Sequence, residues 1–297
     1  MAHTTRRAGR GAAPLRESAG TVAVIADAGG FALMRRYATF RFTDHPSYLR
    51  QTEGLLRALA GRHGHTSVAL FDPVGFAEFC EREGLHPDSP ASRARYTAEI
   101  AARGATVPYE GQPLARLVPD LLAEQLRWET WEAGTDLLAA AGSCADCGAP
   151  QARCAFQRAA ALLARVLEGT RPGVHHLVCS LIAETGPLTA ALHAGRGPDG
   201  SLDMAEPEAM VLCTLLAVGL ATGDPGGLVL RSGSPGQGQG EEVRGWSLQL
   251  GRLRGLSEAE VFSAYCTDVR TGEPVPPEHG VAYRAADDLP PAGCPEP

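Results

Sequence analysis

Apolar positions change their spacing three times along this chain. Residues 21–26 and 31–42 are apolar and aromatic runs on either side of Asp27-Ala28-Gly29-Gly30, a strand, turn, strand pattern that predicts a β-hairpin. Asp44 then reads as an N-cap, with His45-Pro46 opening a helix. Leu49, Leu55, Leu56 and Leu59 carry that helix to about residue 60. Ser-Val-Ala-Leu-Phe at 67–71 predicts a short buried strand. Asp72-Pro73 caps a helix over 73–83, whose apolar face is Phe76, Phe79 and Cys80 and whose stop is Gly84. Ser89 caps another over 90–103, ended by Gly104. This ββαβαα order predicts a compact α+β unit over residues 21–110.

Helical spacing dominates from 111 to 170. Pro113 and Pro119 fall near helix starts, and Leu121, Leu122, Leu126, Trp128, Trp131, Leu137 and Leu138 predict one long helix interrupted near Gly134. A cysteine-bearing turn follows over 142–149. Pro150 then opens a helix over 151–169 with the stripe Phe156, Leu162, Leu163 and Val166. Beyond Pro172 the runs 174–183 and 188–193 flank Glu184-Thr185-Gly186-Pro187 and predict a second hairpin. Residues 206–221 are apolar almost all round, which predicts a central buried helix with Cys213 as inert packing. Strands are expected over 228–230 and 243–250, a flexible Gly-rich loop over 232–242, a helix over 257–266 and an irregular Pro-rich end after Pro274. The expected class is therefore α+β: two α+β units, 21–110 and 171–290, joined by a central helical segment over 111–170.

Composition changes this picture mainly by exclusion. The chain has no lysine and no asparagine, so all 27 basic residues are arginine, and it has three isoleucines. Those three residue types have A/T-rich codons, which points to a GC-rich, bacterial gene and lowers the weight of arginine runs and glycine-rich stretches. Without lysine there is no Schiff-base nucleophile, no P-loop lysine and no kinase-type β3 lysine. Without asparagine there is no N-glycosylation site and no Cys-His-Asn triad. The net charge of −7 gives no bulk attraction to nucleic acid or anionic lipid. Residues 1–20 read as a disordered Ala/Gly/Arg-rich leader. Arg6-Arg7 hints at twin-arginine export, but Asp27, Gly29 and Gly30 break the following apolar stretch. A cytoplasmic protein with no membrane segment is expected.

Chemistry concentrates in three cysteines. Cys144-Ala-Asp-Cys147-Gly148 is followed by Cys154. Two thiols at Cys-x-x-Cys spacing can grip one ion, and a glycine after the second suits the tight turn that requires. Zinc, the cofactor this pattern suggests, needs four donors. The fourth is sought past the intervening helix, at His175, His176 or Cys179. On an extended strand His175 and Cys179 share a face but lie about 13 Å apart, so at most one can join. His176 points the other way, and His175 is the fourth candidate. The bland alternative is two exposed loop thiols, with Cys154 and Cys179 buried as small hydrophobes. A redox pair is also open, since a helix start favours thiolate. Against it, the pair follows a helix rather than a strand, and Asp146 is expected to raise the thiol pKa values.

Other residues carry less. His63-Gly64-His65 in a loop, His45 before a proline and His279 beside Glu278 have no nucleophile at readable spacing. The glycines at 236, 238 and 240 lack the order and the following helix of a phosphate cradle. Trp128 and Trp131 form an i, i+3 pair that suits a core or a partner-binding face. Two functional classes remain: a non-enzymatic interaction or regulatory protein with a structural zinc site, or a thiol-redox or metal-assisted hydrolytic enzyme using Cys144, Cys147 and a histidine. The partner, protein or small molecule, is not readable from these residues.

Overall fold

The computed structural model describes residues 20–61, 65–233, 240–268, 271–289 and 293–294. The fold is α+β, and the chain forms two compact units, Met1–Gln125 and Leu126–Pro297. The leader over 1–20 lies outside the described residues up to 19, as do 234–239 of the Gly-rich loop. Among the described residues no helix is long and apolar enough to cross a membrane.

The first unit runs β1 (Gly20–Val24), α1 (Ala28–Met34), α2 (His45–Ala60), β2 (Thr66–Leu70), α3 (Pro73–Arg82), α4 (Pro90–Arg103) and β3 (Thr106–Pro108). The N-terminal hairpin expected around Asp27 does not form. Asp27 caps α1, its carboxylate accepting from the Gly30 N–H at 2.8 Å. Phe31 and Met34, one turn apart, are buried by that helix. An Asp followed by glycines suits both a hairpin turn and a helix start, and pairing decides: β1 lies parallel to β2, with Val22 opposite Val68. A parallel pair needs a crossover, which α1 and α2 supply. The sheet order is β1-β2-β3, with β3 antiparallel to β2. One core is aromatic, built on Phe31, Tyr48, Phe71, Phe76 and Tyr96. The other is aliphatic and joins Val24, Leu56 and Val68 to Leu114, Leu117 and Leu121.

Those three leucines begin α5 (Leu114–Ala140), within which the division between units falls. The helix is continuous through Gly134, where an interruption was expected. A Cβ there would meet the Thr214 side chain at 2.9 Å, so the glycine admits a close neighbour rather than ending a helix. The second unit continues with α6 (Gln151–Glu168), β4 (Gly173–Ala183), β5 (Gly186–Arg196), β6 (Leu202–Met204) and α7 (Glu206–Thr222). It ends with β7 (Gly226–Gly233), β8 (Glu241–Gln249), β9 (Arg252–Gly255), α8 (Glu258–Tyr265) and β10 (Val281–Tyr283). Its sheet has the order β10-β8-β7-β4-β5-β6, with β9 beside β8. The second hairpin is present, Leu177 opposite Leu192 and Ala183 opposite Gly186. Every residue of α7 from Val211 to Leu220 is buried, and its leucines meet the alternating inward residues of β4, Leu177, Cys179 and Leu181. The end after Pro274 is less irregular than its prolines suggest, because β10 pairs parallel with β8.

Candidate metal centre

The turn between α5 and α6 is a narrow hairpin built by its backbone. Cys144 N–H donates to Ala149 O at 2.8 Å, Gly148 N–H to Cys144 O at 2.9 Å, and Gln151 N–H to Gly142 O at 2.8 Å. Gly142 and Gly148 sit at φ +72° and +71°, in the left-handed region that glycine enters without steric cost. Gly148 therefore turns the chain just after Cys147. Three residues into the next helix, Cys154 enters the first turn of α6, its N–H on Pro150 O at 3.2 Å.

The fourth member comes from the other end of the sequence. The Sγ atoms of Cys144, Cys147, Cys154 and Cys294 all lie within 4.8 Å of one another. Cys294 Sγ is 3.4 Å from that of Cys154 and 3.7 Å from that of Cys144. Four sulfurs around a zinc ion at about 2.3 Å stand about 3.8 Å apart, so these four cysteines can hold a metal ion. Cys144 and Cys154 are buried, Cys294 half-buried and Cys147 exposed. All eight cysteines are free thiols.

Before Cys294 in the chain, residues 284–288 are laid against β8 and β9. Arg284 N–H donates to Val243 O and Ala286 N–H to Leu256 O, each at 2.9 Å. Asp287 O accepts from the Trp246 indole at 2.9 Å, and the Asp288 carboxylate accepts from Gly255 N–H at 2.8 Å. A Cβ at Gly255 would collide with the Ala286 carbonyl, so glycine is what lets the tail lie so close.

Hydrogen bonds select which sulfur ionises first. The backbone N–H groups of Cys147 and Asp146 point at Cys144 and lower its pKa to about 7. This corrects the expectation for Asp146: its amide, not its carboxylate, is what Cys144 feels. Burial pushes Cys154 up. Cys294 is pushed up, chiefly by its contacts with the Cys154 and Cys144 sulfurs.

The other sequence candidates lie apart from this cluster. His175, the expected fourth ligand, is buried on β4 with Nδ1 2.9 Å from Ser232 Oγ and Nε2 3.0 Å from Arg171 O. Both ring nitrogens are thus engaged away from the sulfurs, and Cys294 takes the position given to His175. Burial holds its pKa below the ordinary value. Cys179 is fully buried beside Cys213, and burial pushes their thiols to about 12 and about 11, which makes both unreactive. His176 stands on the exposed side of β4, its ring 4.8 Å from that of His193. His45 binds Ile25 O at 3.0 Å. His65 and His279 are exposed, and His63 and Gly64 lie outside the described residues.

Cys294 escaped the sequence reading because 140 residues separate it from Cys154 and no spacing rule reaches that far. One signal was present. Gly293-Cys294-Pro295 has no apolar neighbours, so a buried-hydrophobe role does not suit it, and a three-thiol cluster lacks one donor.

Residues 4–112 match the model of a family described as a domain of unknown function, DUF8829, a stretch that ends before the first cysteine of the cluster. No curated protein and no solved structure matches the chain.

Proposed function

We propose that this protein is a non-enzymatic interaction or regulatory protein whose second unit is stapled by a structural zinc ion on Cys144, Cys147, Cys154 and Cys294. The observation that carries the reading is the mutual approach of the four sulfurs within 4.8 Å. Four thiolates close the tetrahedron and leave no position for a catalytic water, the arrangement of structural rather than catalytic zinc. The N–H groups aimed at Cys144 are the outer-shell support such thiolates use. A reducing, cytoplasmic setting keeps such thiols available, and partners are sought among proteins and small molecules rather than nucleic acids, given the net charge of −7.

The thiol-redox alternative draws on the same lowered Cys144 pKa and on the 3.4 Å approach of Cys154 and Cys294. Metal analysis of protein purified under reducing conditions separates the two. One zinc per chain, with a melting temperature that falls on chelation, supports the staple, because metal-binding free energy is folding free energy. Metal-free protein whose melting is indifferent to chelator overturns it. A dithiol that cycles with a low-molecular-weight disulfide would then favour the redox reading.

A further inference from the structure

The first unit holds a cavity unrelated to the cysteines. Because β1 and β2 are parallel, their carboxyl ends open on one edge of the sheet, where ligands of open α/β sheets bind. A cavity of about 220 Å³ lies at that edge. Ile25 and Phe71, the first residues beyond the two strands, line it. Its walls are aromatic: Phe40, Phe42 and Tyr48 face it together with Phe71. An apolar cavity of about 150 Å³ holds a benzene ring, so this one has room for a ring and a small substituent.

The polar residues are few and placed together. Arg93 and Thr97, one turn apart on α4, line the cavity with Thr39. Arg93 Nη1 donates to Thr39 Oγ1 at 3.0 Å. The loop bearing Thr39 is pinned by Asp88, whose carboxylate accepts from Ala38 N–H at 3.0 Å, Thr39 N–H at 2.8 Å and the Thr39 hydroxyl at 2.6 Å. Asp88 therefore fixes Thr39 and attracts Arg93 without pairing with it: among the described residues Arg93 forms no ion pair. Its guanidinium is half-buried, and desolvation is the largest influence on its pKa, lowering it. A partly desolvated guanidinium with free donors beside an aromatic cavity is a receptor for a planar anion.

We propose that this cavity binds a small monocarboxylate with a flat apolar body, of the arylacetate class, its ring between Phe40, Phe42 and Phe71 and its carboxylate on Arg93. The metal centre plays no part, so success or failure here is separate from the zinc reading.

Phenylacetate and its neutral isostere phenylacetamide are the probes, titrated calorimetrically into the full-length protein. Phenylacetate is expected to bind at least about tenfold more tightly than the amide, the worth of one charge-assisted contact. Arg93→Gln should weaken phenylacetate about tenfold and leave the amide unchanged, while Phe42→Ala weakens both. Equal binding of the two probes, or no phenylacetate binding at ~10 mM, overturns the proposal. So does undiminished phenylacetate binding by a folded Arg93→Gln protein. Should that variant fail to fold, the two probes on the unsubstituted protein decide the matter.

Discussion

The two units start their helices by different means. In the first unit each of α1 to α4 begins on a side chain that accepts from its own first turn: Asp27 from Gly30 N–H, Asp44 from Ser47 N–H, Asp72 from Val74 and Gly75 N–H, and Ser89 from Ala91 N–H. In the second, α6 and α7 begin at Pro150 and Ala205 with no side-chain cap, and only α8 has a capping box, between Ser257 and Glu260. What α6 has is the cysteine hairpin joined to its first turn, with thiol groups where a helix N-terminus favours negative charge. What α7 has is burial on every side and Glu208 in its first turn, whose carboxylate accepts from His193 N–H at 2.9 Å. The starts of α1 to α4 are settled within three residues, as is that of α8; α6 instead rests on the hairpin before it and α7 on a contact 15 residues away.

The largest test of this contrast strikes α7. Leu216 is fully buried, and Leu216→Asp places an unpaired charge among leucines at a cost of about 3–5 kcal/mol or more. The second unit should unfold while the amides of Val24 and Val68 in the first keep their protection from hydrogen exchange. Simultaneous loss of both would show that the units share one folding transition.

Metal removal comes next. Cys147→Ser, or chelator on the unsubstituted chain, should lower the melting temperature of the second unit by roughly 10 °C, taking ~3 kcal/mol and about 3 °C per kcal/mol for a unit of this size. Exchange should quicken first in α6 and the tail that carries Cys294. An equal loss of protection in α2 or α3 would erase the distinction.

A local cap should matter less and only at home. Asp72→Ala removes the acceptor of two N–H groups at 2.9 Å and should destabilise the first unit by about 1 kcal/mol, with Asp72→Asn nearly neutral. Urea unfolding followed by exchange reads both values, and no change in the second unit is expected.

The smallest effect is a slope with pH. Burial lowers the pKa of His175 below its ordinary 6.5, so below that pH the unfolded chain takes up a proton the folded chain still refuses. Its contribution is complete above about pH 6.5 and is lost as pH falls toward the folded value. His175→Gln should flatten the loss of stability as pH falls below about 6.5, measured at saturating zinc to hold the cysteine centre constant.

Legibility follows the same line as the energetics. The caps at Asp44, Asp72 and Ser89 were readable, as were the buried helix over 206–221 and the strand pair around Glu184-Thr185, because each is written in side chains a few positions apart. The hairpin expected at Asp27 failed because both outcomes share their local chemistry and only parallel pairing with β2 separates them. Gly134 misled for a related reason: its neighbour, Thr214, is 80 residues on, and from the sequence a glycine in a helix reads as a stop.

The sequence by itself determined the α+β class, most helix boundaries, the cysteine turn and the mechanisms barred by the missing lysine and asparagine. Periodicity, capping and residue chemistry act over a turn or less, where the backbone already dictates geometry. Only the tertiary structure decided that β1 and β2 run parallel, that an aromatic cavity opens at their ends beside Arg93, and that Cys294 rather than His175 completes the sulfur cluster. Each of those depends on which distant segments the burial of apolar surface brings together, and spacing along the chain carries no record of that.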